Sequence, residues 1–196
     1  MSDPLLERWL EDVVATPGLT SLDSVSDARQ VLLEDALRGA PFVEAIGEPV
    51  IDVGSGGGSP GLPLAVALPG LAFTLLEAER RKARFLERAS EGLANVEVVW
   101  GRAEELATDA YAVALAKALA KPPVAAELCL PLVRQGGVAI LWLGETARRD
   151  AVAKAAAQVG GRLEDDADGL VVLRKVSPTP AGFPRRPGIA RKRPLA

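Results

Sequence analysis

Histidine is missing altogether from this chain of 196 residues. Its absence removes the commonest general base at neutral pH, and any zinc site would need an unusual ligand set. A single cysteine, Cys129, excludes a disulfide framework. No stretch reaches the roughly 18 uninterrupted apolar residues of a membrane span. The opening MSDPLLERWLEDVV sets acidic residues inside its apolar pattern, unlike a signal peptide. These absences together predict a cytoplasmic protein with no membrane partner. Acidic side chains are also missing from Arg174 to Ala196, a segment with seven basic residues. With a net charge of −3 overall, residues 1–173 therefore carry −10. An acidic body with a basic, proline-broken tail points to a local polyanion contact rather than a generally basic surface.

What is present suits one globular domain with small appendages. Hydrophobic residues make up 48% and charged residues 25%, enough for both a full core and a solvated surface. Near the N-terminus, Asp3 and Pro4 start a helix whose apolar stripe is Leu5, Leu6, Trp9, Leu10, Val13 and Val14. A second helix is predicted over about Ser26–Leu37, stopping at Gly39. Residues 1–47 then read as a small helical cap.

From Val50 onward, strand and helix alternate. The predicted strands are VIDV, AFTLLE, VEVVW, YAVALA and GVAILWL. Helices are expected over about Gly61–Leu68, Glu79–Glu91, a segment holding Val124, Leu128, Cys129 and Leu132, and Glu145–Val159. RLEDD and GLVVLRKV follow too closely for a helical crossover and read as an antiparallel hairpin. Such alternation, with run-like apolar strands, implies a mostly parallel sheet covered on both faces. The expected fold class is α/β, and five crossover strands ending in a hairpin resemble the Rossmann-like SAM-dependent methyltransferase fold, seven-stranded, with an antiparallel last strand. Residues 48–176 form this core and 177–196 the basic tail. A nucleotide-type ligand would lie at the carboxyl ends of the strands.

The stretch PVIDVGSGGGSPGLPLAVALPG places a glycine loop directly after the first strand. A phosphate-loop reading fails because no Lys-Ser/Thr pair follows. Gly56, Gly58 and Gly61 do satisfy the spacing of a dinucleotide fold, so spacing alone leaves NAD open. Asp52 argues the other way. A carboxylate at the strand's end repels pyrophosphate and suits the ammonium and sulfonium of S-adenosylmethionine (SAM). Pro60 and Pro63 also spoil a smooth helix start for pyrophosphate. The candidate cofactor residues are thus Asp52, Gly54, Ser55, Gly56, Gly58 and Ser59, with Glu77 placed to accept from ribose hydroxyls. Cys129 sits in apolar ELCLPLV and reads as core, not as a nucleophile.

The segment DVGSGGGSPGLPL resembles the signature of the RsmG (GidB) family of 16S rRNA guanine-N7 methyltransferases. LLEAERRKARFLE, GRAEEL and the tail FPRRPGIARKRPL are similar to further segments of that family. The resemblance implies SAM as cofactor, with Ala103 and Glu104 closing over the adenine and Lys117 beside the methyl donor as the candidate catalytic residue. It implies RNA contact through Arg185, Arg186, Arg191, Lys192 and Arg193, which would position RNA without reading its sequence. The partner would be 16S rRNA or the small ribosomal subunit, met by a monomer. The chain departs from the family at several points. Lys117–Ala118 stands where arginine–alanine is usual, Leu143–Gly144 where lysine–glycine is usual, and a histidine in the second helix is absent. These departures leave open a relative that binds SAM or RNA without catalysis. The basic helix with Arg80, Arg81, Lys82, Arg84 and Arg88 reads as a solvated face.

Overall fold

The side chain of Asp3 accepts the Leu5 N–H at 2.8 Å, and Pro4 occupies the first turn. Helix α1 (Pro4–Ala15) therefore starts where the sequence places it. The architecture comes from a computed structural model describing residues 3–144, 147–167 and 169–196. The second predicted helix is one winding run with three parts: α2 (Val25–Ala28), a π-helical turn (Arg29–Glu34) and α3 (Asp35–Leu37). Gly39 does not end the helical cap. It turns the chain into a further helix, α4 (Ala40–Ile46), which the sequence reading did not foresee. A Cβ at Gly39 would lie 2.7 Å from the Trp142 ring, so close packing is what demands glycine there.

The sheet has seven strands: β1 (Val50–Val53), β2 (Phe73–Glu77), β3 (Val96–Trp100), β4 (Tyr111–Lys117), β5 (Val133–Trp142), β6 (Gly161–Ala167) and β7 (Leu170–Lys175). Their spatial order is β3-β2-β1-β4-β5-β7-β6. The first five pair in parallel, and β7 runs antiparallel to both β5 and β6. This is the expected mostly parallel sheet, with the terminal hairpin supplying its one reversed strand. The crossover helices are α5 (Gly61–Ala67), α6 (Arg80–Ala89), α7 (Pro122–Cys129) and α8 (Arg149–Gln158). The expected start of the last helix at Glu145 lies outside the described residues, as does Asp168 of the predicted hairpin loop.

β1 and β2 are buried along their whole length, as strands covered on both faces must be. One face packs on α7 and α8 through Ile51, Leu141, Cys129 and Val152. On the other face, Leu6, Trp9, Leu10 and Val13 of α1 share a core with Leu62, Leu75, Phe85 and Leu86. The N-terminal helices are thus bound to the sheet by apolar burial, and they reach its carboxyl edge. At the opposite end Lys175 is fully buried. Its ammonium donates to Asp109 (2.9 Å), to the Thr179 hydroxyl (2.7 Å), and to the carbonyls of Leu130 and Val133. Burial pushes its pKa down, with Asp109 opposing. This network anchors the start of the C-terminal segment, which ends in a short helix, α9 (Ile189–Lys192).

Candidate active site

β1 delivers its glycine loop to the carboxyl edge of the sheet. The amides of Gly54 and Ser55 both donate to the Leu76 carbonyl, at 2.8 and 3.0 Å, so the loop bends over the end of β2. The N-terminal helices pin it from outside. The Trp9 indole donates to the Gly57 carbonyl at 2.7 Å, and the Ser59 hydroxyl to the Leu32 carbonyl at 2.7 Å. At Gly56, φ is +55° and a Cβ would have no neighbour nearer than 3.8 Å, so a side chain there would project into open space. That is the form of a backbone cradle.

The open space is a cavity of about 440 Å³, within the range of roughly 300–1,000 Å³ usual for small-molecule sites. The loop forms its floor, and Glu77 with Ala78 one wall. Gly101 to Glu104 and Lys117 to Leu119 form two more. Leu19, Val31 and Leu32 close it from the N-terminal side, Gly188 and Arg191 from the tail. Of the predicted cofactor residues, Gly54, Ser55, Gly56, Ser59, Glu77, Ala103, Glu104 and Lys117 meet around this one space. Glu77 is already oriented: its two carboxylate oxygens accept the amides of Gly56 (2.9 Å) and Glu79 (2.7 Å).

Asp52 and Gly58 do not line the cavity. Gly58 faces Trp9, Leu62 and Leu86. Asp52 is buried, and one carboxylate oxygen accepts the Gly61 amide at 3.1 Å. A Cβ at Gly61 would lie 2.7 Å from that oxygen, so strand and helix are in direct contact there. The other oxygen, Oδ1, is buried with no hydrogen-bond partner among the described residues. Burial pushes the Asp52 pKa up to about 7, and Glu77 adds to the rise. The Gly61 amide, Ser55 and Lys117 oppose it. Asp52 therefore acts on the cavity through its field and by shaping the loop, not by touching a ligand from the cavity wall. The same contact bears on the dinucleotide alternative. The amide at the start of α5, where a pyrophosphate would be held, is taken by the protein's own carboxylate.

The ammonium of Lys117 donates to the Val31 carbonyl and, at 2.5 Å, to Asp35. Val31 lies in the π-helical turn. Lys117 stands between the first cavity and a second of about 830 Å³. The second is lined by Arg38, Lys121, Pro122, Trp142, Leu143 and Arg148 among others. Ala118 borders both, in the left-handed region at φ +54°. A strained non-glycine residue at a strand end between two cavities is a functional signal that no sequence pattern carried. Cys129 is fully buried, and burial pushes its thiol pKa up, so it offers no thiolate.

The basic tail folds back onto the body. Arg185 makes a two-pronged ion pair with Glu127 of α7 at 2.5 and 2.6 Å, and also donates to the Arg193 carbonyl. Held at both ends, the segment turns through Gly188 (φ +81°) into α9. The Gly188 amide donates to Glu104, and Arg191 to the Leu119 carbonyl, each at 3.0 Å. Arg191 thus joins the cavity wall, whereas Arg186, Lys192 and Arg193 are exposed away from it and Arg185 is spent on Glu127.

The residues present fit SAM. An open glycine cradle and an acidic residue at the end of β2 suit a ribose-bearing ligand, and the carboxyl group of Asp52 buried behind the loop favours a cationic one through its field. Comparison with known proteins agrees. The model of the GidB family, described as rRNA small subunit methyltransferase G, matches residues 6–164. The chain belongs to this family. A ribosomal RNA small subunit methyltransferase G of Pelotomaculum thermopropionicum is 36% identical, covering 96% of this chain and 89% of that protein. Its counterpart in Rubrobacter xylanophilus is 39% identical over 91% of this chain and 74% of its own. Among solved structures, a SAM-dependent O-methyltransferase from Thermotoga maritima superposes with a TM-score of 0.61. It is 15% identical, covering 84% of this chain and 73% of that one. A 16S rRNA N2 G1207 methyltransferase of T. thermophilus, in complex with AdoMet and guanosine, gives 0.55 at 22% identity. That match covers 76% of this chain and 40% of the longer one. Both structural matches share the fold of this chain.

Proposed function

We propose that this member of the GidB family methylates N7 of a guanine in 16S rRNA near the decoding centre, acting as a monomer in the cytoplasm. The observation that carries the reading is the pair of cavities meeting at Lys117 and Ala118. One has the form of a nucleoside-cofactor site, and the other opens beside it at the carboxyl ends of β4 and β5. Bound in the first, SAM supplies a sulfonium-activated methyl group that a nucleophile takes in a single in-line displacement.

The choice of N7 follows from the family resemblance and agrees with the chemistry of the site. N7 offers an in-plane lone pair and carries no proton, so the reaction needs no general base. The chain has no histidine. Asp52, which titrates near neutrality, lies behind the loop rather than in the wall. What remains for the protein is alignment and exclusion of water, and alignment alone can supply ~7–11 kcal/mol. The open face of the glycine loop and Glu77 hold the cofactor, and the Gly101–Glu104 turn with the tail covers it. Trp142, Pro122 and the cations Lys121 and Arg148 border the space for an acceptor base and its phosphates. Lys117, tied to Asp35, fixes the partition between the two and serves as a positioning group, not an acid or base.

The test is a transfer assay with isotopically labelled SAM on small-subunit particles and on naked 16S rRNA, followed by mapping of the label. The expected result is one labelled guanine carrying its methyl at N7. Binding of SAM without transfer to either substrate would overturn the reading in favour of a non-catalytic relative.

A further inference from the structure

Trp100, the last residue of β3, is 58% exposed on the outer edge of the sheet. An indole left so open returns little hydrophobic free energy to the fold, yet this ring is held in place. Its Nε1–H donates to the Ala78 carbonyl at 3.1 Å, and the guanidinium of Arg80 lies over one face, 5.0 Å from the ring centre. The remaining face is available to a ligand.

The surroundings are basic and continuous with the cofactor cavity. Arg80, Arg84 and Arg88 recur every four residues along α6, so all three project from one side of the helix, and all are exposed. The stripe is about 12 Å long at 1.5 Å per residue. Arg81 and Lys82 pair with Glu79, leaving Glu87 as the one acid within the helix against five cations. Ala78, Lys82, Gly101 and Arg102, which flank the platform, line the rim of the cavity. A pinned aromatic face beside a row of arginines matches the combination that binds single strands: the backbone follows the cations and a base stacks on the ring.

We propose that Trp100 and Arg80 form a stacking platform for one unpaired base of the RNA substrate, with Arg84 and Arg88 carrying the adjacent phosphates. The platform rests on the reading of the chain as an rRNA methyltransferase and adds a second contact, remote from the reacting guanine. It takes any base, because every base has a π face, and so contributes affinity rather than sequence choice.

The experiment measures steady-state methyl transfer to 16S rRNA by the wild type, Trp100→Ala and Trp100→Phe, together with SAM affinity by calorimetry. Trp100→Ala is expected to raise KM for RNA about tenfold, in the range of one lost base–aromatic stack. SAM affinity and kcat stay at wild-type values, and Trp100→Phe recovers most of the loss. A second readout is indole fluorescence during titration with a short single-stranded oligoadenylate. Quenching is expected in the wild type and strongly reduced in Trp100→Phe, the remainder coming from Trp142 beside the acceptor space, since Trp9 is only 1% exposed. An unchanged KM in Trp100→Ala, or quenching in Trp100→Phe as large as in the wild type, overturns the platform. Failure of the wild type to transfer methyl would strike the functional reading instead, and the fluorescence titration still decides the platform.

Discussion

Replacing Arg185 with methionine separates two roles for the basic tail. Glu127 is only 3% exposed, so the substitution strands a carboxylate in the interior beside α7. Breaking a buried ion pair from one side costs about 3–5 kcal/mol. The Arg185 side chain is 22% exposed, so water can reach the site and the lower end, about 3 kcal/mol, applies. One escape is for residues 185–196 to detach, giving up the Gly188–Glu104 and Arg191–Leu119 bonds and the packing of Ala190 and Leu195 on the core. A shift of about 3 kcal/mol is roughly a hundredfold change in docking. Detachment removes Gly188 from Glu104 and Arg191 from Leu119, opening one wall of the cofactor cavity. SAM affinity measured by calorimetry should therefore fall by tenfold or more, while the cooperative melt of the sheet changes little. The double variant Glu127→Gln with Arg185→Met should recover part of the loss, because it leaves no buried charge. Wild-type SAM affinity in Arg185→Met, with the tail still protected from proteolysis, would refute the reasoning. The same logic predicts that deleting Phe183–Ala196 weakens SAM binding as well as RNA binding.

Further expectations follow from the loop. Asp52 has a folded-state pKa of about 7 against 3.8 for the unfolded chain. Its contribution to stability is thus fully present below about pH 4 and is lost as pH rises through 7, a swing of about 4 kcal/mol. Asp52→Asn should flatten that part of the stability–pH curve in chemical denaturation, and equal slopes in the two proteins would exclude the assignment. Gly56→Val should leave a folded protein, destabilised by about 1–2 kcal/mol for its left-handed backbone, that has lost SAM binding. Retained SAM affinity would show that the cradle is not used. Gly61→Ala drives a Cβ to 2.4 Å from Leu75 and 2.7 Å from Asp52, so a melting-point loss matching 1–3 kcal/mol is expected of it.

The parallel sheet, the terminal hairpin and the glycine loop were legible in the sequence because each rests on local pattern: apolar runs, short spacing, glycine after a buried strand. Asp52 shows where pattern stops. Its residue type and its place before the loop were visible, but the direction of its carboxylate depends on the approach of α5, which folding alone sets. The helix α4 was missed because its start, Gly39, reads as a stop unless the packing of Trp142 is known. The docking of the tail was not legible, since its partners, Glu127 and Glu104, are 58 and 84 residues away in the chain. Ala118 gave no sign at all. Alanine carries no mark of a left-handed backbone, and only the structure shows it between the two cavities.

The account stands or falls on the ligand of the first cavity. Calorimetric titration of the unmodified protein with SAM and, separately, with NAD tests it most directly. One molecule of SAM bound per chain, with no heat from NAD, is the predicted result. Binding of NAD with none of SAM would contradict it.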